Sequence, residues 1–165
     1  MRIDRIEDFL SYFEGVHQRT RGVALCIPEE SLEWSPGEGR FTPGDLVRHI
    51  ASTERWMWAE NVQQLPSRYP GHGPELARGK DAVLAHFEAM HQEAVEIFRA
   101  LTPDRLQLRC ATVGGIDMSV WKWLRLMAEH EIHHRGQLYE LMARLGVSTP
   151  SLYGLTEAEV RERSI

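Results

Sequence analysis

Three histidines fall within five residues at positions 130–134, in the run "HEIHH". Imidazole is the commonest side-chain metal ligand, and two on one helix face can close on a single ion. His130 and His134 stand four residues apart, one helical turn, whereas His133 lies about 100° round the helix from His134. The spacing therefore separates a pair from a flanking neighbour. Both members of the pair fall on an apolar stripe with Trp123, Met127, Leu138, Leu141 and Leu145, which should face a core. Leaving two imidazoles unpaired there would be costly, which favours a shared ion.

A third imidazole must come from another element. His49 shares a stripe with Leu46, Thr53 and Trp56, with Ile50 and Met57 beside it, so it also points inward. His91 lies next to the stripe of a third helix and could serve in its place. His17, near the inner edge of the first helix, is a weaker rival. Each ligating ring needs a partner on its second nitrogen, and Asp45, Glu131 and Gln137 lie near enough in sequence to be candidates. Arg135 could anchor an anionic substrate group or pair with Glu131 four residues before it. Gly136 costs a helix roughly 1 kcal/mol against Ala, which points to close approach by another helix, across a dimer interface for instance.

The elements that must position these groups are helical. Ile6, Phe9, Phe13, Val16, Thr20 and Val23 recur at steps of three or four, predicting a helix over 3–25. Two prolines and two glycines then make "CIPEESLEWSPGEGRF" a loop. The second helix opens at Thr42, a capping residue, with Pro43 at its first position and Asp45 near its positive end, and runs to about Gln64. "PSRYPGHGPELARG" is a second connection, and a third helix covers 80–101. A small hairpin is expected about Gly114-Gly115, then a fourth helix from Ser119 to Leu145 ended by Gly146. "TEAEVRER" adds a short solvated helix. Four stripes of this kind bury each other most economically as an all-α, four-helix bundle, and residues 1–165 read as one domain. The long connections allow a topology other than simple up-down-up-down.

The totals narrow the function classes. Net charge is −5 and the basic residues form no block, which argues against binding through nucleic-acid phosphates. No apolar run approaches the roughly 20 residues that span a bilayer, and the charged start "MRIDRIEDFLSYF" lacks a signal-peptide core. A cytoplasmic protein with Cys26 and Cys110 as reduced thiols is expected. Trp56, Trp58, Trp121 and Trp123 read as core, or as the lining of a pocket or interface.

"HEIHHRGQLYELM", followed by "LG" and "YGLT", resembles the C-terminal signature of the DinB/YfiT-like family of metalloenzymes. "LEWSPGEGRFTPGDLVRHI", with Trp34 and Pro36 ahead of the helix, is similar to that family's approach to its first ligand. The resemblance implies an up-down-down-up four-helix bundle, often dimeric, with one divalent metal per chain on His49, His130 and His134. His91 then becomes a core residue or a neighbour of the site. Glu131, Arg135 and Gln137 are the residues expected to support the ligands or meet substrate. Family members include thiol S-transferases using bacillithiol or mycothiol, a mycothiol-dependent maleylpyruvate isomerase and metal-dependent hydrolases.

Such a site, with zinc or nickel foremost and iron or manganese admissible, lowers the pKa of bound water to about 7 or stabilises a thiolate. The expected function is transfer of a low-molecular-weight thiol to a small electrophilic substrate. Metal-dependent hydrolysis comes second. A metal-binding stress-response bundle without turnover is the alternative of a different class, and a fourth protein ligand closing the site would mark it.

Overall fold

The computed structural model describes residues 2–164. Its long helices are α1 (Ile6–Ala24), α2 (Pro43–Thr53), α4 (Lys80–Arg99) and α6 (Val120–Arg144). A π-helical turn, Glu54–Trp58, carries α2 directly into α3 (Ala59–Val62). The short α5 (Pro103–Gln107), a hairpin of β1 (Arg109–Ala111) and β2 (Asp117–Ser119), and α7 (Glu157–Arg163) complete the order. The hairpin is antiparallel with Cys110 opposite Met118, and Gly115 takes the positive φ its turn requires.

The architecture is a four-helix bundle. Both α1 and α2 pack chiefly on α4 and α6, so the consecutive helices α1 and α2 face each other across the bundle. That arrangement needs the long 25–42 connection and departs from the simplest antiparallel order. No described helix is long and apolar enough to cross a membrane.

Local chemistry accounts for the start of α2. The Thr42 hydroxyl accepts from Asp45 N at 2.9 Å, and Asp45 Oδ2 accepts from Thr42 N at 3.1 Å, a reciprocal cap ahead of Pro43. Further along, the π-turn inserts one residue into the helical register. Trp56, expected on the buried stripe, is displaced to a half-buried position beneath the Arg55 and Arg68 guanidinium groups, 4.2 and 4.8 Å from its ring. Trp58 enters the core instead and stacks on Trp123 at 5.1 Å.

The apolar interior is divided. One cluster joins Phe9, Phe13, Val62, Phe98 and Leu124; the other joins Val23, Leu46, Phe87, Leu138 and Met142. Between them, on all four long helices, sit buried polar groups: His17, Thr20, Thr53, Glu54, His91, Glu131, His134 and Arg135.

Arg48 locks the two long connections to α2. Its side chain is fully buried, and Nη1 and Nη2 donate to the two oxygens of Glu33 at 2.7 and 2.8 Å. Nη2 also donates to Asp45 at 2.9 Å, Nε to the His72 carbonyl at 2.7 Å and Nη1 to the Ala77 carbonyl at 3.1 Å. A Cβ on Gly44 would stand 2.9 Å from the Leu32 carbonyl and 3.1 Å from the guanidinium, so only glycine fits there. Arg48→Met leaves Asp45 and two loop carbonyls without their donor. It should cost about 3 kcal/mol of stability, read as a lower urea midpoint.

Candidate metal centre

His49 from α2 and the pair on α6 meet through their Nε2 atoms. His130 Nε2 lies 3.1 Å from His49 Nε2 and 3.1 Å from His134 Nε2. Each outer ring is held from behind. Gln137 Oε1 accepts from His134 Nδ1 at 2.7 Å, and because an amide oxygen only accepts, Nδ1 carries the proton and the Nε2 lone pair faces inward. The Tyr69 hydroxyl lies 2.8 Å from His49 Nδ1 and 2.8 Å from His72 Nδ1. Its single proton serves one ring; given to His72, it leaves His49 Nδ1 donating and the His49 Nε2 lone pair turned to the centre. Burial and the neighbouring Asp45 carboxylate push the Tyr69 phenol up to about 12, so that proton stays in place.

Three lone pairs brought this close repel unless something positive lies between them. The one Nε2–H that His130 could supply satisfies a single neighbour, whereas a cation satisfies all three. The donor set therefore fits a divalent metal. Burial, then repulsion from His134 and His72, lowers His49 to about 4. Burial, then repulsion from His134 and His49, lowers His130 to about 3. Burial likewise lowers His134, against the opposing Gln137 hydrogen bond. All three are neutral at pH 7, the form that ligates. Among the described residues no further His, Cys, Asp or Glu joins the group, so the protein leaves the remaining positions open.

The walls are aromatic. Phe41 lies 5.3 Å from the His49 ring, 4.7 Å from His72 and 6.0 Å from His134, and Trp58 lies 4.7 Å from His130. Phe41 and Gln137 also line a groove of about 850 Å³ running beside the triad, where Arg40, His133, Glu140 and Arg144 supply polar groups. Gly136 opens onto this groove. No heavy atom lies within 4 Å of a Cβ built there, so the close helix approach expected at Gly136 is absent within the described chain.

Several side chains lie elsewhere than spacing suggested. His133 is exposed on the flank of α6, touching only the edge of the His134 ring at 5.0 Å. Asp45 serves the α2 cap and Arg48, leaving His49 to Tyr69. Glu131 and Arg135 are turned into the bundle interior, away from both groove and triad. Arg135 is 5% exposed and donates to the Val16 carbonyl at 3.1 Å, so it is neither a substrate anchor nor a surface ion pair. Both oxygens of Glu131 are buried without a hydrogen-bond partner, and burial, then the nearby Glu54 carboxylate, pushes its carboxyl up to about 8. His91 and His17 stack on each other with centroids 3.6 Å apart, and His91 Nδ1 lies 2.9 Å from Glu54 Oε1. They form a second group, distinct from the triad. The Cys110 thiol, buried and pushed up to about 11, is no nucleophile, and Cys26 is likewise unpaired with it.

Tyr69, His72 and Phe41 were not legible from helical periodicity because all three belong to connections. The available signal was chemical: a tyrosine and a histidine three apart in a loop rich in proline, glycine and charged residues.

The sequence profile of the DinB family matches residues 3–164. The Bacillus subtilis protein YjoA, itself uncharacterised, is 26% identical over 140 residues, 83% of this chain and 88% of its own. Its crystal structure superposes with a TM-score of 0.72. YfiT of B. subtilis, described as a probable metal-dependent hydrolase with an unusual four-helix bundle topology, aligns with a TM-score of 0.71 at 16% identity, covering 90% of this chain and 91% of its own. A mycothiol-dependent maleylpyruvate isomerase aligns with a TM-score of 0.65 at 18% identity, covering 81% of this chain and 60% of its own. At these identities the three structures share the fold.

The depressed imidazoles make the metal-free protein sensitive to acid. His17, His49 and His130 take up protons near pH 6.5 when unfolded but only near 3, 4 and 3 when folded. The unfolded state therefore binds more protons between those values, and stability should fall as pH drops below about 6.5. His91 acts oppositely. Burial lowers it, but Glu54 overcomes that and raises it to about 9, so its contribution is full below pH 6.5 and fades as pH rises through 9. Urea unfolding in EDTA across this range should show the acid limb flattened in His130→Gln. An unchanged limb would mean that the triad does not carry it.

Proposed function

The chain belongs to the DinB family, and on that premise we propose that it is a divalent-metal-dependent enzyme transferring a low-molecular-weight thiol to a small electrophile. The observation that carries this reading is the convergence of three neutral imidazoles, each outer one oriented from behind, with no fourth protein ligand among the described residues. A closed tetrahedral set would have favoured a structural ion.

His49, His130 and His134 would hold the metal. When bound, a divalent ion in such a set supplies Lewis acidity that favours the deprotonated, nucleophilic form of a thiol or water at neutral pH. The chain's own residues do the positioning. Gln137 and Tyr69 fix the ring planes and tautomers of His134 and His49. Phe41 and Trp58 shield the rings from bulk water on two sides. The adjoining groove lies within the usual range for small-molecule sites, and Arg40 and Arg144 give it cationic groups suited to the carboxylates of a polar thiol cofactor. The groove is what favours a thiol of some size over water as the nucleophile. The whole-length likeness to YfiT supports metal-dependent hydrolysis as the second reading. Zinc and nickel are the ions best suited to three imidazoles, with iron and manganese also accommodated. A cytoplasmic homodimer remains the proposed setting.

Elemental analysis of wild type beside His49→Ala and His134→Ala tests the site. Each variant should lose the triad's metal, and with it thiol transfer to a chromogenic electrophile, while keeping its helical circular dichroism. Full metal occupancy in either variant would sink the assignment. Turnover of an ester without added thiol would shift the reading to hydrolysis.

A further inference from the structure

The polar layer of the bundle contains a second convergence of ligand-type side chains, and none of it serves the triad. α1 contributes His17, the π-turn Glu54, α4 His91 and α6 Glu131, one residue from each long helical segment. All four are buried, the most exposed being His91 at 4%. His17, Glu54 and His91 bring ligand atoms within 4.8 Å of one another. Glu131 adjoins them, sharing with Glu54 a small void in the bundle interior that His130 borders from the triad side.

The group is short of partners. Both nitrogens of His17, both oxygens of Glu131 and Oε2 of Glu54 make no hydrogen bond. The Glu88 oxygen nearest to His17 Nε2 is 3.6 Å away, beyond useful hydrogen-bond reach. Buried polar atoms are nearly always satisfied, and five unsatisfied ones gathered at one place call for an occupant. Without an ion, His91 stands between the Glu54 and Glu14 carboxylates as the cation of the group. A dication that takes over that role would face two carboxylates and two neutral imidazoles, a set that balances its charge.

We propose that His17, Glu54, His91 and Glu131 form a second metal site, separate from the His49–His130–His134 site, that takes a divalent first-row cation inside the bundle. Its mixed oxygen and nitrogen donors suit harder ions, Mn(II) and Fe(II) as well as Zn(II), better than three imidazoles do. Helical bundles commonly hold metals this way, on Glu and His side chains from facing helices. Glu14, half exposed and 3.4 Å from His91 Nε2, marks the side on which the cluster reaches the surface. An ion here ties together all four helices at mid-height. It also fixes Glu131, the residue next to His130, so the interior site braces the triad.

Cobalt(II) is the probe, supplied during expression so that it is present as the bundle folds. Wild type, His49→Ala/His134→Ala, and that double variant carrying Glu54→Gln or His17→Gln are purified through a chelating resin. Cobalt per chain and the visible cobalt absorption are then read, with circular dichroism confirming the fold. The proposal predicts about two cobalt ions per wild-type chain, about one in the double variant, and none once Glu54 or His17 is also replaced. One ion in wild type and none in the double variant would overturn the interior site while upholding the triad. One ion in wild type that survives in the double variant but not with Glu54→Gln would uphold the interior site and overturn the triad. Cobalt in the double variant that neither interior substitution reduces would also overturn the proposal.

Discussion

Burying ionisable side chains at mid-height is the constraint on which this bundle turns. Burial cuts them off from bulk solvent, so each charge must be neutralised, paired or given to an ion. The structure uses neutralisation and pairing in one layer. The imidazoles of the triad are neutral, His91 is charged against Glu54, and Arg135 is tied to a backbone carbonyl of α1. The two apolar clusters above and below this layer supply the burial that holds it together.

A polar layer of this kind is useful only if its geometry is fixed from outside as well as inside. Arg48 does that for the triad without touching it. By binding Glu33 in one connection and the His72 and Ala77 carbonyls in the other, it seats both loops against α2. Phe41 and Tyr69 are thereby presented to His49. The Tyr69 hydroxyl, bridging two imidazoles, depends on a loop that contributes little apolar surface of its own. A guanidinium with several directed donors suits this role better than a point charge would, because each loop is fixed in angle as well as in distance.

Much of this was legible in the sequence because helical periodicity is a direct consequence of burial. The stripes on α1, α4 and α6, the Thr42–Asp45 cap, and the inward facing of His49, His130 and His134 all follow from 3.6 residues per turn. Periodicity says which face of a helix a side chain takes, but not which neighbouring helix it meets. Proximity along the chain makes Glu131 a candidate partner for a triad ring and Arg135 a candidate substrate anchor, yet adjacent residues on a helix point about 100° apart. His130 therefore turns to the triad while Glu131 turns to the interior group. Loop residues carry no period at all, and for that reason Tyr69, His72 and Phe41 escaped.

The π-turn shows the same limit from the other direction. In an unbroken α-helix Trp56, seven residues after His49, would return to the same face, and Trp58, nine residues after it, would lie about 180° away. The structure has Trp58 against His130 and Trp56 half-buried under two arginines. One inserted residue accounts for this, since it delays every later position by about 100° and swings Trp58 round to wall the triad. The same turn contains Glu54, which it presents to His91 rather than to solvent. A local irregularity that a periodic reading must treat as noise thus places one residue in each polar group. A π-turn sacrifices regular hydrogen bonding, and here that cost is set against the two side chains it aims, Trp58 at the triad and Glu54 at His91.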